Sequence, residues 1–344
     1  MEYTRLGKSG LKISKIILGA MSFGSSDWQD WVINEEEALP LLKHAYDLGL
    51  NTWDTADVYS NGKSEEIIGK FLKQYSIPRS KVVILTKCYF GVAEDGTQPV
   101  IGPALTNDGP LVNQMGLSRK HILDAVDRSV ARLGTYIDVL QIHRLDREIP
   151  REEIMRALND VVESGKVRYI GASSMAAWEF QTLQNIAEKN GWHKFISMQN
   201  YYNLIYREEE REMIPYCRDT GIGLIPWSPI ARGALARPLN DRSTARENTD
   251  RVLKALIRGK ENEVDRTIIN RVEEIAKKRG VGMATIAIAW CLSKDSVNPI
   301  AGLSSKERID QAVEAVKFAS SGKLTAEDIA YLEEGYAPKV AQPF

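Results

Sequence analysis

The 344-residue chain is poor in the residues that hold metal ions or build disulfide frameworks. It has three cysteines, an odd number without metal-ligand spacing, and this usage is typical of reduced thiols rather than of a secreted disulfide-stabilised domain. The four histidines, at positions 44, 121, 143 and 193, are scattered and lack the close spacing of metal ligands. The sequence therefore predicts a protein without a resident metal ion.

An excess of one charge and long apolar runs are also missing. The 45 basic and 46 acidic residues give a formal net charge of −1, which offers no basic surface for nucleic acid or an anionic membrane. No run approaches the roughly 20 apolar residues of a membrane span, and residues 1–7 lack the pattern of a signal peptide. We expect a cytoplasmic protein whose ligands are small molecules.

Short runs rich in β-branched residues alternate with longer amphipathic segments from about residue 15 to residue 318. The predicted strands are 15–19, 50–54, 82–87, 137–143, 167–172, 195–199, 223–226 and 297–302. The predicted helices are 35–48, 64–73, 118–133, 151–164, 176–189, 207–219, 265–279 and 306–318. Because no break in composition divides this pattern, the sequence favours one domain over residues 1–344.

Two α/β folds fit such an alternation, a closed (β/α)8 barrel and a doubly wound open sheet. Polar or aromatic residues stand at or just past the carboxyl ends of five predicted strands, where barrel active sites form: Asp54, Lys87, His143, Gln199 and Trp227. An open sheet would concentrate them at one switch point, and no G-x-G-x-x-G follows an early strand. The sequence therefore predicts a TIM-type (β/α)8 barrel.

Three segments lie outside the repeated units. Residues 3–14 read as a β-hairpin that could close the bottom of the barrel. The connections 90–116 and 230–263 exceed the normal βα length, so we expect loops over the catalytic face that shape substrate access. A short C-terminal helix is predicted at 325–334.

Seven motifs carry a resemblance to a known family over essentially the whole chain. They are Trp53-Asp-Thr-Ala-Asp-Val-Tyr59, Leu85-Thr-Lys87, Asp138-Val-Leu-Gln-Ile-His143, Ile170-Gly-Ala-Ser-Ser174, Met198-Gln-Asn200, Pro226-Trp-Ser-Pro229, and Ile300-Ala-Gly302 with the segment 304–311. In these motifs the chain resembles the aldo-keto reductase superfamily. Together with Ile16-Ile-Leu-Gly-Ala-Met-Ser-Phe-Gly24, they look most like the microbial and fungal branch of aryl-alcohol dehydrogenases and versiconal-type reductases.

Carbonyl reduction needs a hydride donor and a proton donor at the carbonyl oxygen. Tyr59 is a candidate acid, and an ammonium at Lys87 would favour its ionised form while Asp54 keeps Lys87 charged. His143 can orient the carbonyl oxygen or join the proton transfer. The resemblance implies this catalytic tetrad, and we assign the nearby Asp57 to the shape of the turn.

The resemblance also implies NADPH as the coenzyme. Trp227 would stack on the nicotinamide, while Ser173, Ser174 and Gln199 match positions that bind its carboxamide, with Ser174 in place of the family's common Asn. Asp54 also borders this site. The pyrophosphate and ribose side would be formed by Met21, Ser228, Ile230, Arg232, Gly233 and Leu235.

The segment after the last strand enters a helix and could hold a phosphate on its backbone N–H groups and basic side chains. Its candidate residues are Gly302, Ser304, Lys306, Arg308 and Gln311. Two cations at Lys306 and Arg308 favour NADPH over NADH, because a 2′-phosphate binds paired positive charge.

An aromatic pocket is expected for the substrate, which indicates an apolar or aromatic aldehyde or ketone. Its candidate walls are Trp28 or Trp31, Tyr89, Phe90 and Tyr202, whereas Trp53 fits the core as well as the pocket.

Two other functions remain open. One is a redox-sensing module like the potassium-channel β subunits, which commonly carry an N-terminal extension before the hairpin. The other is a non-redox isomerisation or hydrolysis, which would leave Trp227 and the 304–308 segment without a role. The oligomeric state stays open between a monomer and a weak homo-oligomer.

Overall fold

The computed structural model describes residues 1–93 and 106–342. The chain begins with a hairpin in which β1 (Tyr3–Arg5) and β2 (Lys12–Ser14) pair in antiparallel register. The Lys8 N–H in its turn donates to the Gly221 carbonyl at 2.7 Å, and the fully buried Leu6 packs among the inward-facing residues of the barrel. The hairpin therefore covers the amino-terminal end of the barrel, as the sequence predicts.

Eight parallel strands form the sheet in the part of the chain that is described. They are β3 (Ile17–Gly19), β4 (Thr52–Asp54), β5 (Val83–Cys88), β6 (Ile137–Ile142), β7 (Val167–Ser173), β8 (Phe195–Gln199), β9 (Gly223–Leu224) and β10 (Ile300–Gly302). From β3 to β9 each strand pairs with the next along the sequence, and β10 pairs with β3. The predicted strands are all present, with ends displaced by at most three residues.

The sheet closes between β9 and the segment that leads into β10. The Asn298 N–H donates to the Leu224 carbonyl at 2.8 Å, and the Ile300 N–H donates to the Pro226 carbonyl at 2.9 Å. Parallel bridges join Leu224 to Val297 and Trp227 to Ile300. These contacts complete the ring and confirm the (β/α)8 barrel over the open sheet.

The described helices surround the strands. They are α1 (Glu35–Asp47), α2 (Lys63–Gln74), α3 (Arg119–Leu133), α4 (Arg151–Glu163), α5 (Ala177–Asn190), α6 (Met213–Thr220), α7 (Ala245–Thr249), α8 (Arg251–Leu256), α9 (Glu263–Arg279), α10 (Met283–Leu292), α11 (Lys306–Ser320) and α12 (Ala326–Glu333). α6 begins later than the predicted 207–219, after a separate 3-10 turn at Glu208–Glu210. Pro215 explains this start, because proline fits only the first turn of a helix. None of these helices is long and apolar enough to cross a membrane.

α10 is one of the helices that the sequence does not predict. Its residues are apolar on every side, and Ile286 and Trp290 are fully buried where the helix packs against α9 and α11. A helix buried all round lacks the 3.6-residue alternation of apolar and polar residues by which surface helices are recognised.

The two long connections turned out differently. The predicted loop 230–263 contains α7 and α8, which begin at side-chain caps: Thr244 accepts from the Glu247 N–H, and Asp250 accepts from the Val252 and Leu253 N–H groups. Short capped helices escaped prediction because they lie within a run of dense charge. In the connection 90–116, the segment 94–105 lies outside the described residues, and a 3-10 turn at Gly109–Leu111 follows.

Candidate active site

The inward face of the barrel changes from apolar to polar at the carboxyl ends of the strands. Because side chains alternate between the two faces of a strand, Val83, Leu85 and Lys87 of β5 point the same way. The first two belong to the apolar barrel interior, and Lys87 stands above them, fully buried. The same spacing in β6 places Gln141 above Val139. A polar layer therefore lies on the apolar core at the end where the sequence predicts the active site.

Lys87 is the centre of this layer. Its Nζ lies 2.5 Å from Asp54 Oδ1, 2.8 Å from the Thr55 carbonyl oxygen and 3.2 Å from Tyr59 Oη. Burial by itself lowers the pKa of the ammonium, but the carboxylate of Asp54 and the phenol of Tyr59 act more strongly together and raise the net pKa. Lys87 is therefore a cation at neutral pH, with Tyr59 within hydrogen-bond reach.

Tyr59 reaches the layer from a tight turn after β4. The 3-10 turn Tyr59–Gly62 includes Ser60 and Asn61 with φ of 48° and 51°, in the left-handed region that non-glycine residues seldom adopt. The Ser60 hydroxyl oxygen, fully buried, accepts the Ser25 N–H at 3.1 Å and so ties this turn to the connection after β3. Tyr59 is 8% exposed and packs in a small cluster with Trp28 and Trp31, apart from the main core.

Asp54 is held by two amides besides the lysine. Gln141 Nε2 and Gln199 Nε2 each donate to Asp54 Oδ2 at 2.9 Å, and Gln199 Nε2 also lies 2.8 Å from Gln141 Oε1. The sequence assigns Gln199 to the coenzyme, whereas Gln141 is not among the predicted site residues. Gln141 could have been found from the sequence, because it is an amide within an apolar strand. It stands two residues before His143 and therefore on the same face of the strand.

His143 lies beside Tyr59. The two ring centroids are 5.8 Å apart with the planes nearly perpendicular, and the Phe90 ring lies 5.0 Å from the His143 ring on another side. Burial, and then the positive charges of Lys87 and Arg144, hold the pKa of His143 well below its usual value. The imidazole is therefore neutral at neutral pH. Its Nδ1 is sealed from solvent without a hydrogen-bond partner among the described residues.

An aromatic cluster borders these groups. Trp28 and Trp31 pack with Tyr59, and Phe90 and Met21 lie against the same cluster. Tyr89 contacts Phe90 edge to face at 5.1 Å. The four aromatic residues predicted for the substrate pocket therefore lie close to one another, beside Tyr59.

Two other aromatic residues lie elsewhere. Trp53 is fully buried in the helix layer, where it donates to the Leu50 carbonyl and meets Phe71 edge to face, so its place is in the core. The expectation that Tyr202 lines the pocket is wrong. Its ring packs on Trp290 at 5.1 Å, and its hydroxyl donates to Glu210 Oε1 at 2.5 Å.

The predicted nicotinamide-binding residues also converge. Trp227 stacks on Tyr201 at 4.5 Å, and its Nε1 donates to Ser174 Oγ at 3.2 Å. The Ser173 hydroxyl donates to the Gln199 carbonyl at 2.9 Å. Ser174 has a φ of 50° and therefore turns the chain just past β7, which places its side chain next to the indole.

The segment after Trp227 is strained. Ser228, Ala231 and Arg232 have φ of 57°, 48° and 54°, values that cluster at functional sites in proteins. The Asn203 side-chain amide holds the Ser228 carbonyl at 3.1 Å. Along the rest of the segment, Gly233 lies at a φ of 106°, Leu235 is fully buried and Ile230 is half-buried.

Arg232 forms an ion pair that the sequence reading missed. Its Nε and the Nε of Arg246 lie 2.8 Å and 2.9 Å from the same oxygen of the buried Asp250. The Arg246 guanidinium also lies 4.2 Å from the centre of the Trp31 ring, which links this segment to the connection after β3. Burial lowers the pKa of Arg246 to about 10, and the positive charges of Arg232 and, more weakly, Arg308 act in the same direction. The carboxylate of Asp250 opposes this shift. Positive charge therefore exceeds negative charge here.

The segment after β10 brings two predicted residues into contact. Arg308 Nη1 donates to Ser304 Oγ at 2.5 Å, and the Ser305 side chain caps the first turn of α11. A Cβ on Gly302 would lie 3.8 Å from the Arg246 guanidinium, so this turn and the arginine cluster are neighbours. Two other predicted residues lie apart from this contact. Lys306 is exposed, and the Gln311 amide lies toward Gly282.

Comparison with known proteins agrees with this architecture. A family model described as "Aldo/keto reductase family" matches residues 15–337. The chain is 68% identical over 344 residues to versiconal hemiacetal acetate reductase of Aspergillus parasiticus, covering 100% of this chain and 99% of that protein. It is 57% identical to a Schizosaccharomyces pombe protein provisionally named an aryl-alcohol dehydrogenase, covering 98% and 96% of the two chains. The chain therefore belongs to the aldo-keto reductase family and is an oxidoreductase.

Proposed function

We propose that this protein is an NADPH-dependent reductase of aldehydes or ketones, with aromatic or apolar substrates, and that Tyr59 supplies the proton. The observation that carries the proposal is the 3.2 Å contact between the Lys87 ammonium and the Tyr59 hydroxyl, with Asp54 holding the lysine from behind. A proton donor needs stabilisation of the anion that it leaves, and a buried cation provides that stabilisation.

NADPH, when bound, would supply the hydride to the carbonyl carbon, and the residues of the chain act on the carbonyl oxygen. Tyr59 donates its proton to that oxygen, and Lys87 stabilises the resulting tyrosinate. The neutral His143 donates an N–H to the same oxygen and so orients it. Because a buried N–H without an acceptor is rare, its sealed Nδ1 favours the tautomer with the proton on Nε2.

The residues around Trp227 and Arg308 fit such a coenzyme. The indole, with Tyr201 stacked on it, and the hydroxyls of Ser173 and Ser174 are suited to a flat ring with a carboxamide. The positive excess around Arg246 suits a pyrophosphate or a 2′-phosphate. A histidine contact, His44 Nε2 to Asp310 Oδ1 at 2.8 Å, engages one of the two carboxylates close to Arg308 in sequence, the other being Glu307. These features support NADPH rather than NADH.

The substrate class follows from the aromatic mouth and from the relatives. Trp28, Trp31, Tyr89 and Phe90 can surround an aromatic ring whose carbonyl faces Tyr59. The names of the two relatives, which refer to a hemiacetal acetate reductase and an aryl-alcohol dehydrogenase, agree with substrates of this kind. We extend that chemistry to this chain as part of the proposal.

The proposal is tested by following NADPH absorbance with a panel of aromatic aldehydes. Tyr59→Phe removes one oxygen atom from the pocket, and we expect kcat to fall about 10²–10⁴-fold, the range typical of a lost general acid. Tyr331→Phe, the same change on an exposed residue of α12, is the matched control and should keep wild-type turnover. Equal turnover by Tyr59→Phe and wild type would refute Tyr59 as the proton donor.

A further inference from the structure

Two glutamines in the polar layer hold the Asp54 carboxylate, and one of them, Gln141, has no part in the chemistry described above. Gln141 Nε2 and Gln199 Nε2 each donate to Asp54 Oδ2 at 2.9 Å, and Gln199 Nε2 also donates to Gln141 Oε1 at 2.8 Å. The three side chains therefore form a closed triangle of hydrogen bonds. Gln141 is fully buried and Gln199 is 3% exposed, so solvent hardly competes for these bonds.

The carboxylate fixes the direction of both amides. An ionised carboxylate only accepts hydrogen bonds, whereas a side-chain amide has one accepting oxygen and one NH2 group that donates. Because Asp54 forms an ion pair with Lys87, each glutamine has to turn its nitrogen, and not its oxygen, toward the carboxylate. The oxygen of Gln141 then accepts from Gln199, so the NH2 group of Gln199 has two acceptors for its two N–H bonds.

The Gln199 Oε1 atom takes no part in this triangle. No group of the described residues donates a hydrogen bond to it, and it is not one of the side-chain atoms that are sealed from solvent without a partner. The oxygen is therefore an acceptor that solvent or a ligand can reach. A buried residue with one open acceptor is suited to a ligand that brings an N–H donor.

Neighbouring strands fix both glutamines in place. Gly171 of β7 pairs with Gln141, and a Cβ at Gly171 would lie 3.1 Å from Gln141 Cγ, so the glycine leaves room for the stem of this side chain. Gln199 ends β8, and the carbonyl of the next residue, Asn200, accepts the Trp227 N–H at 2.8 Å. The two amides therefore meet within the barrel, one residue from the strand contact with the indole proposed to stack on the nicotinamide.

We propose that Gln141 is a positioning residue that holds the Gln199 amide so that its oxygen accepts the N–H of the coenzyme carboxamide. Gln141 does this by accepting the second N–H of Gln199, without which the amide could turn about its remaining bond to Asp54. The same triangle holds the carboxylate that pairs with Lys87, so one network orients the coenzyme ring and supports the proton donor. This inference rests on the proposed NADPH-dependent reduction and adds a residue to that site.

The test compares the binding of NADP⁺ with that of its 3-acetylpyridine analogue, in which a methyl group replaces the NH2 of the carboxamide. Titration calorimetry gives both dissociation constants without turnover. The analogue leaves the Gln199 oxygen without a donor, so the wild type should bind NADP⁺ about threefold to tenfold more tightly. Gln141→Met, which keeps the volume without the polar atoms, should reduce this preference to less than about twofold. Gln141→Glu should retain it, because burial and the charge of Asp54 keep the new carboxyl group protonated and able to form the same two bonds.

Gln184→Met is the matched control. Gln184 is also a buried glutamine, and it bonds the other end of β8, where it donates to the Phe195 carbonyl at 3.0 Å and accepts the Phe195 N–H at 2.9 Å. This variant should leave the preference for NADP⁺ unaltered. The preference is a ratio taken within one preparation, so a partly unfolded variant does not change it. Titration with 2′,5′-ADP, which lacks the nicotinamide, measures the folded fraction of each protein.

The outcomes separate this inference from the function on which it rests. No preference in the wild type, or an equal preference in Gln141→Met and the wild type, would overturn the positioning role, even if NADPH reduced aldehydes at the wild-type rate. The expected preference, lost in Gln141→Met, would support that role even if no carbonyl compound were reduced. The absent reduction would then refute the proposed function alone.

Discussion

The two sides of the candidate site are built in different ways. The side that we propose donates the proton, around Asp54 and Lys87, stands on the ends of neighbouring strands, and its groups bond to one another within a closed layer. The side that we propose binds the coenzyme, around Arg232 and Arg246, stands on a long connection with left-handed backbone turns and short helices. One side is fixed by the barrel, whereas the other is fixed by an ion-pair cluster.

This difference indicates where charge is balanced within the chain. Lys87 has a carboxylate partner, and that carboxylate is satisfied by two amides, so the proton-donating side is complete without a ligand. On the coenzyme side two arginines share the single carboxylate of Asp250, with Arg308 close enough to act on Arg246. A bound anion would balance the second side, and it would add nothing to the first.

The largest effect is expected on the proton-donating side. Lys87→Met leaves the Asp54 carboxylate buried without its counter-charge, and breaking such a pair by removing one partner costs about 3–5 kcal/mol of unfolding free energy. We also expect kcat to fall by about 10²–10⁴, because the tyrosinate loses its stabilising cation. Urea unfolding and the NADPH assay measure the two quantities.

A double variant separates these two effects. Adding Asp54→Asn to Lys87→Met removes the unpaired charge, so most of the lost stability should return while turnover stays low. Recovery of both quantities together would mean that Lys87 acts only through folding. Wild-type turnover in the single variant would contradict the assigned role directly.

A smaller effect is expected on the coenzyme side. Arg308→Ala should raise the NADPH dissociation constant by about tenfold, near the lower end for a charged contact because Arg308 is exposed. The NADH dissociation constant should change much less, because NADH lacks the 2′-phosphate. Fluorescence titration measures both, and Lys317→Ala, at the other end of α11, controls for loss of one charge. If Arg308→Ala weakened the binding of NADPH and NADH equally, Arg308 would not contact the 2′-phosphate.

The proton-donating side was also the more predictable side from the sequence. Asp54, Lys87 and His143 each end a strand-like run, and parallel strand ends meet at one face of a barrel, so their proximity follows from topology. The strand period of two even fixes their inward direction. Gln141 faces inward for the same reason. It was not predicted because a single amide within an apolar strand gives by itself no sign of a functional role.

The coenzyme side could be predicted only in part. The motif around Trp227 and the cationic start of α11 indicated Arg308. Arg246 and Asp250 have the i,i+4 spacing of a helical ion pair, but the short helix that makes them neighbours was not predicted. The contact of Arg232 with Asp250 depends on left-handed turns at Ala231 and Arg232, which residue type does not indicate, since non-glycine residues seldom adopt them. α10 escaped for a related reason, because complete burial removes the periodicity on which the prediction depends.

The last prediction concerns a second buried carboxylate, Asp57, which the sequence assigns to the shape of the turn. Neither of its oxygens accepts a well-formed hydrogen bond from the described residues, and burial, followed by the charge of the buried Glu65, raises the pKa of Asp57 well above its usual value. The folded protein therefore holds a proton that the unfolded chain releases, and this contribution to stability is lost as the pH rises from the unfolded pKa through the folded one.

Asp57→Asn keeps the shape of the neutral acid without the titration. Its unfolding free energy relative to wild type should increase by about 1.4 kcal/mol for each pH unit within that window. Urea unfolding at pH 5 and pH 7, with Asp219→Asn at the exposed end of α6 as the control, measures the trend. If the difference in unfolding free energy between Asp57→Asn and wild type did not vary with pH, Asp57 would be ionised in the folded state. Asp57 would then differ from Asp54 only in lacking a paired cation.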